Sequence, residues 1–289
     1  MTAGLLALSV WARTGFAGVS TEYTKTRQAL VIKRREAATG AGRQRLTSVW
    51  WCAGRSPAAA IRERLGDKVP TAKSDPTTLF FSWFYAAQRD FTYISLAGSY
   101  KPIAEALRLT LRRACLIVAE DNDSAAREAV SEADVQAIMA AFKGNMKPRE
   151  GLKECFDGLR DAGWDVYAVT NGGVETSHGY YRNANIDLDR DHLLSCDDLK
   201  VAKPDVRVYQ RAQDHLDKQG LGDERATRSG QRWFVAAHAW ELIAARAAGF
   251  KTAYLDFEEH DPVTEVFGEF DLYATSMVEL LQKMKVLKK

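Results

Sequence analysis

Trp164-Asp165-Val166-Tyr167-Ala168-Val169-Thr170-Asn171-Gly172-Gly173 is the stretch whose reading decides the fold. Six mainly apolar, β-branched and aromatic residues closed by a polar, glycine-rich turn read as a strand buried on both faces, since a half-exposed strand would alternate apolar with polar. Just upstream, residues 151–162 form an amphipathic helical pattern closed by Gly163. Downstream, a short strand at His192 to Cys196 precedes Lys203-Pro204-Asp205 and a helix to about Leu216. A polar loop over 217–231 leads to a strand at Arg232 to Ala237, a helix at Trp240 to Ala248 ended by Gly249, a strand at Thr252 to Leu255 and a last helix from Ser276 to Val286. Strands separated by helices at this spacing predict an α/β fold, a Rossmann-like parallel sheet covered on both faces, over residues 148–289.

Ligands of open parallel sheets bind beyond the carboxyl ends of the strands. Three polar clusters sit there: Thr170-Asn171, Lys203-Pro204-Asp205, and His238 with Trp240 and Glu241. Singly, each has a plainer reading, as a turn, a helix start and a first-turn carboxylate complementing a helix dipole. Their order and spacing together are specific.

Residues 79–147 read as a helical domain. Phe80, Phe81, Trp83, Phe84, Phe91, Tyr93, Ile94 and Leu96 give a broad apolar face, and Ile103, Leu107, Leu111, Cys115 and Val118 recur every three or four residues. Ser131 and Asp134 have the spacing of a capping box. The aromatic stripe is most simply core packing, with a ligand-facing subset as the minority reading. Residues 57–78 are expected to connect into this domain.

With 46% hydrophobic and 27% charged residues over 289 positions, a disordered or fibrous chain is excluded, and no apolar run reaches the length of a membrane span. Cys52, Cys115, Cys155 and Cys196 form no CxxC pair, which fits reduced thiols in the cytoplasm and offers no zinc or disulfide framework. The net charge of +2 hides an asymmetry: residues 1–65 carry eleven Lys and Arg against three Glu and no Asp. Residues 1–56 show no steady period and are expected to be disordered or a mistranslated start. Their composition also resembles a transit peptide or a basic nucleic-acid arm, but no second feature supports either.

Taken together, Val166 to Gly173, Ala202 to Tyr209 and Phe234 to Ala253 resemble the second, third and fourth motifs of the haloacid dehalogenase superfamily, in detail its 2-haloacid dehalogenase branch. Arg89 to Tyr100 is similar to the start of that branch's cap, and the resemblance runs from about Arg64 to Leu287. It implies a Rossmann-like core with an inserted helical cap, and attack by an aspartate carboxylate to give an ester that water hydrolyses. By position, Thr170 and Asn171 would hold the substrate carboxylate or leaving group and Lys203 the nucleophile's charge. Glu241 would orient or activate water, and His238 and Trp240 would line the pocket floor. Ala237 stands where the superfamily's phosphatases need a magnesium-binding Asp, so a metal-independent reaction without cofactor is implied. The implied partner is a small-molecule carboxylate, with a homodimer as the oligomer and neither nucleic acid nor membrane.

Two departures stand out. The first motif, a strand ending in Asp-x-x-Gly-Thr, is missing: the family's spacing puts the nucleophile near Leu46, in a run to Trp51 that could form the strand but carries no acid. Glu36 and Glu63 are the nearby acids, and neither ends an apolar strand. Phe84 to Gln88 stands where the branch has an arginine that grips the substrate, and Tyr85 and Trp83 point to a larger or more aromatic ligand. Three readings follow: an enzyme of the dehalogenase type, a binding pseudoenzyme, and an active enzyme whose gene model is wrongly assembled over its first ~55 residues.

Overall fold

The structure, a computed structural model, describes residues 57–119, 128–144, 146–218 and 232–287, with the backbone of residues 25–26, 28–34, 46–47 and 51–53. Glu36, most of region 1–56 and the loop over 219–231 lie outside the described residues.

Among the described residues four strands come first: β1 (Lys25–Thr26), β2 (Gln28–Arg34), β3 (Leu46–Thr47) and β4 (Trp51–Ala53). A helical layer follows, made of α1 (Pro57–Leu65), α2 (Pro70–Ser74), α3 (Pro76–Leu96), α4 (Ile103–Ala119) and α5 (Glu132–Gly144). Proline at the first position of α3 has no N–H to leave unsatisfied, and the Asp75 carboxylate accepts the Thr78 N–H at 3.0 Å. Gly98, at φ +76°, follows its last turn. The capping box that opens α5 is reciprocal: Ser131 Oγ accepts the Asp134 N–H, and Asp134 Oδ2 accepts the Ser131 N–H. Residues 57–78, expected as a connection, carry α1 and α2. Positions 58, 61, 65, 69 and 72 repeat at helical spacing, and all five are buried in one cluster with Leu79, Phe80 and Trp83. The helical layer therefore begins at Pro57.

The remaining elements alternate: β5 (Met146–Pro148), α6 (Leu152–Asp161), β6 (Trp164–Thr170), α7 (Val174–Asn183), β7 (Leu193–Ser195), α8 (Cys196–Leu199), α9 (Val206–Lys218), β8 (Arg232–Ala236), α10 (Ala239–Ala247), β9 (Lys251–Leu255), α11 (Thr264–Phe267), β10 (Leu272–Ala274) and α12 (Met277–Val286). Every residue of β6 is buried, as its unbroken apolar run requires. On one face of the sheet Leu159, Tyr181 and Leu280 pack from α6, α7 and α12; on the other, Tyr209 and Leu242 pack from α9 and α10. Helix α7 was not legible in the sequence, since its buried face is only Ser177, Tyr180 and Tyr181.

The main sheet runs β10-β9-β8-β2-β3-β6-β7. Its pairs β10/β9, β9/β8, β3/β6 and β6/β7 are parallel. The strands that residues 148–289 give to this sheet pair in parallel, as expected; β2, from outside that span, joins antiparallel to both β6 and β8, pairing Gln28 with Thr170, Arg34 with Trp164, and Leu30 with Val235. Ala29-Leu30-Val31-Ile32 is a β-prone run that suits a central position in the strand order. The two described ends of the run Leu46 to Trp51 belong to different sheets. Leu46 pairs with Val166, while Trp51 pairs with Pro148 in a separate three-stranded sheet of β1, β4 and β5.

Cap and core are joined through the end of α3. Thr92 Oγ1 donates to Lys203 O at 3.3 Å, Ala202 N–H donates to Ser95 Oγ at 2.8 Å, and Tyr100 Oη donates to Asp197 Oδ1 at 2.6 Å. Burial first, and then the Asp197 carboxylate, hold the Tyr100 hydroxyl far above its ordinary range, so it stays a donor.

Candidate active site

The strand β6 delivers Thr170 and Asn171 to the sheet's carboxyl end, and two loops converge on them. Lys203 is fully buried. Its ammonium donates to Glu241 Oε2 at 3.0 Å and to Val169 O at 3.2 Å, and Glu241 is equally buried. Taking either charge out of water alone would cost several kcal/mol, roughly, so each is tolerable only with the other present. Two of the three ammonium N–H groups are thereby used, and Glu241 Oε1 has no partner among the described residues. The Lys203 backbone N–H donates to Asn171 Oδ1 at 3.1 Å. That bond fixes the amide's direction, because only its oxygen can face a donor; Asn171 Nδ2, on the other side, has no partner among the described residues. Thr170 Oγ1 accepts the Gly172 N–H at 2.9 Å and lies 3.3 Å from Ser177 Oγ, while Ser195 Oγ donates to Gly172 O at 2.8 Å. The turn after β6 is therefore braced at three points.

His238 is held rather than open. It precedes α10 in extended backbone, its ring is fully buried, and its Nδ1 and Nε2 lie 2.9 Å from Glu259 Oε1 and 2.9 Å from Glu258 Oε2. Glu259 Oε2 also accepts the Ala239 N–H at 2.9 Å, so one carboxylate caps the helix and grips the ring. Trp240 lies parallel to the imidazole, ring centres 5.7 Å apart. With both nitrogens facing acids, His238 serves as a brace for the loop after β9, and a free general base is not available there.

Between helical layer and core lies a cleft of about 80 Å³. At a share of about 30 Å³ per water, that is room for roughly three water-sized groups, enough for a small organic acid. Phe84, Leu107, Met139 and Phe142 line its cap side; Thr170, Asn171, Gly173 and Ser177 line its core side. Thr170 and Asn171 are thus brought to the cleft as expected by position. Lys203 and Glu241 stand together behind Asn171, outside the lining. His238 and Trp240 also lie outside it, turned to the acidic loop, which departs from the expected pocket floor. Tyr85 is 46% exposed and stacks on Phe81, and Trp83 is buried with its Nε1 donating to Leu107 O at 3.0 Å. Neither supports a large aromatic ligand: the aromatic residue of α3 that reaches the cleft is Phe84, one position from each.

Several site residues escaped the sequence. Glu258 and Glu259 stand in the loop after β9, three and four residues past its end, and a strand's carboxyl end is where such residues are expected. The Tyr209 hydroxyl is buried without a partner among the described residues; burial, then the charge of Glu241, pushes its pKa well up. It lies on the first turns of α9, in the same helix that Lys203-Pro204-Asp205 opens. Ser177 had no signal beyond its place in a polar stretch. Cys196, although near Lys203, is buried, and burial pushes its thiol up to about 12.

A family model described as haloacid dehalogenase-like hydrolase matches residues 55–249. An (S)-2-haloacid dehalogenase 4A of Burkholderia cepacia is 30% identical over 143 residues, covering 50% of this chain and 57% of the relative. An (S)-2-haloacid dehalogenase of Pseudomonas sp. (strain YL) is 29% identical over 170 residues, 58% of this chain and 66% of the relative. The chain thus spans less than two thirds of the length of these relatives. Among solved structures, a dehalogenase with an intermediate complex is 25% identical at TM-score 0.58, covering 79% of this chain and 91% of that one. An L-2-haloacid dehalogenase, 21% identical at TM-score 0.60, covers the same 79% and 91%, and supports the fold. Among the described residues no helix is long and apolar enough to cross a membrane.

Proposed function

Because the chain belongs to the haloacid dehalogenase-like hydrolases, we propose that it binds a small organic acid in the cleft between cap and core and releases it without forming a covalent ester. The observation that carries this reading is the strand in the place between β6 and β8. The residue paired with Thr170 is Gln28, and β2, β3 and β4 contain no Asp or Glu. An amide is a poor nucleophile, and the reaction of the named relatives' type needs a carboxylate at this position. Cys196 is too firmly protonated to replace it, and Glu63 lies exposed on α1.

What the chain does assemble is the supporting chemistry. The Asn171 amide offers a hydrogen to an anion, the Lys203 ammonium stands behind it as the compensating charge, and the buried Glu241 carboxylate holds that ammonium in place. Ala237, in place of a carboxylate, favours metal-independent chemistry. The acid is a partner that a cytoplasmic protein meets in solution. Titration of the full chain with propionate, followed by tryptophan fluorescence, tests this: saturable binding weakened by Asn171→Ala supports it, and no saturable signal refutes it.

A second reading keeps the reaction intact: an active enzyme that hydrolyses a carbon-halogen or related bond, with a parallel, Asp-bearing strand where β2 lies. The antiparallel course of β2 within otherwise parallel neighbours favours it. Sequencing the transcript's 5′ end decides, since a transcript encoding residues 1–56 as written would remove this reading.

A further inference from the structure

The Ala202–Lys203 segment is held from two sides. From the core, Asn171 Oδ1 accepts the Lys203 N–H at 3.1 Å; from the cap, Ser95 Oγ accepts the Ala202 N–H at 2.8 Å and Thr92 Oγ1 donates to Lys203 O at 3.3 Å. Ser95 is 7% exposed and Ala202 2%, and the Ala202 methyl packs with Phe91 and Ala106 of the cap, so water competes little for these bonds. Every backbone polar group from the Ala202 N–H to the Lys203 carbonyl, the Ala202 carbonyl aside, is therefore committed to a side chain of α3 or to Asn171. Because the Lys203 N–H also decides which way the Asn171 amide faces, a shift of α3 is felt at Asn171 Nδ2, the unpartnered donor at the cleft.

We propose that Thr92 and Ser95 are positioning residues: through their hydrogen bonds to the Ala202–Lys203 segment, the cap helix sets the direction in which the Asn171 amide faces the cleft. The inference rests on Asn171 being a ligand contact, as the functional reading has it, but its geometry can be read without ligand. Neither hydroxyl touches a bound acid; each acts through Lys203. Tyr100 makes a comparable cap–core bond, to Asp197, that does not involve the Lys203 backbone. It is the natural control.

The test compares the full chain with Thr92→Val and Ser95→Ala, singly and together, with Thr92→Ser as the conservative variant and Tyr100→Phe as the control. The Asn171 side-chain amide resonances, identified by their loss in Asn171→Asp, are recorded without ligand, and propionate affinity and thermal midpoint are measured alongside. Losing one such bond is worth about a factor of five. The expected result is displaced Asn171 resonances and about fivefold weaker propionate binding in Thr92→Val and in Ser95→Ala, wild-type behaviour in Thr92→Ser, and a lowered midpoint with unmoved Asn171 resonances in Tyr100→Phe. Unmoved resonances in the double variant, or equal displacement by Tyr100→Phe, would overturn the proposal. Should the wild-type chain bind no propionate, the functional reading falls, and the ligand-free resonances alone judge the positioning.

Discussion

At the carboxyl end of β6, Lys203, Glu241 and Asn171 are joined by hydrogen bonds of 3.0 and 3.1 Å, whereas the strand beside β6 runs the opposite way and brings Gln28 to the same level. One side of the site consists of groups that make sense only as a set: a buried cation, its buried anion and an amide aimed by the cation's own backbone. The other side contributes backbone pairing and no acid. On the proposed reading, the fold keeps the electrostatic support for a reaction while the group that reacts is missing, because the two are supplied by different strands.

The largest effect that can break this comparison is expected from Lys203→Met. It leaves Glu241 buried without its counter-charge and should destabilise the chain by about 3–5 kcal/mol, whereas Lys203→Met with Glu241→Met should recover much of that loss; denaturant unfolding checks both. The cap offers a contrast in kind, since its main buried charge is met by exposed partners. Burial of Asp134 pushes its pKa up, but hydrogen bonds from Lys68 and Ser131 outweigh it and bring the carboxyl down to about 2. A depressed carboxylate stabilises above its unfolded value and loses that contribution as pH falls through the folded one. About 2 kcal/mol of stability should therefore vanish between roughly pH 4 and pH 2, and Asp134→Asn should flatten that part of the profile. A stability curve unchanged over that window would contradict the assignment.

Smaller effects sharpen the same contrast. Asn171→Ala is expected to weaken propionate binding about fivefold while Gln28→Ala leaves it within about twofold, measured by fluorescence titration. Equal losses would put β2 in the binding site. The least effect is expected from Gly173→Ala: the added methyl would sit 3.2 Å from Asp197 Oδ2, so the carboxylate must give by a few tenths of an ångström, and the midpoint should fall by no more than about two degrees.

Much of the core was legible because its physics is local. A fully buried strand announces itself as an unbroken apolar run, as at Trp164 to Thr170, and glycines at 163 and 249 mark helix ends by their left-handed backbone. Thr170, Asn171 and Glu241 stand out in the sequence by their position after strands, and Lys203 by its place in a loop between them. What the sequence hid depends on tertiary approach. The grip of Glu258 and Glu259 on His238 joins residues about twenty positions apart across a loop, and the outward turn of Tyr85 follows from the phase at which α3 meets its neighbours, which put Phe84 at the cleft. Helix α7 stayed hidden because it buries so little apolar surface.

The account's central claim is that the site holds an acid but forms no ester with it. Its most direct test is the intact mass of the full chain, acid-quenched at intervals during incubation with 2-chloropropionate. The account predicts a mass that stays that of the unmodified chain at every time. A transient adduct of one propionate ester, abolished by Glu36→Gln or Glu63→Gln, would contradict it and put a working nucleophile back in the chain.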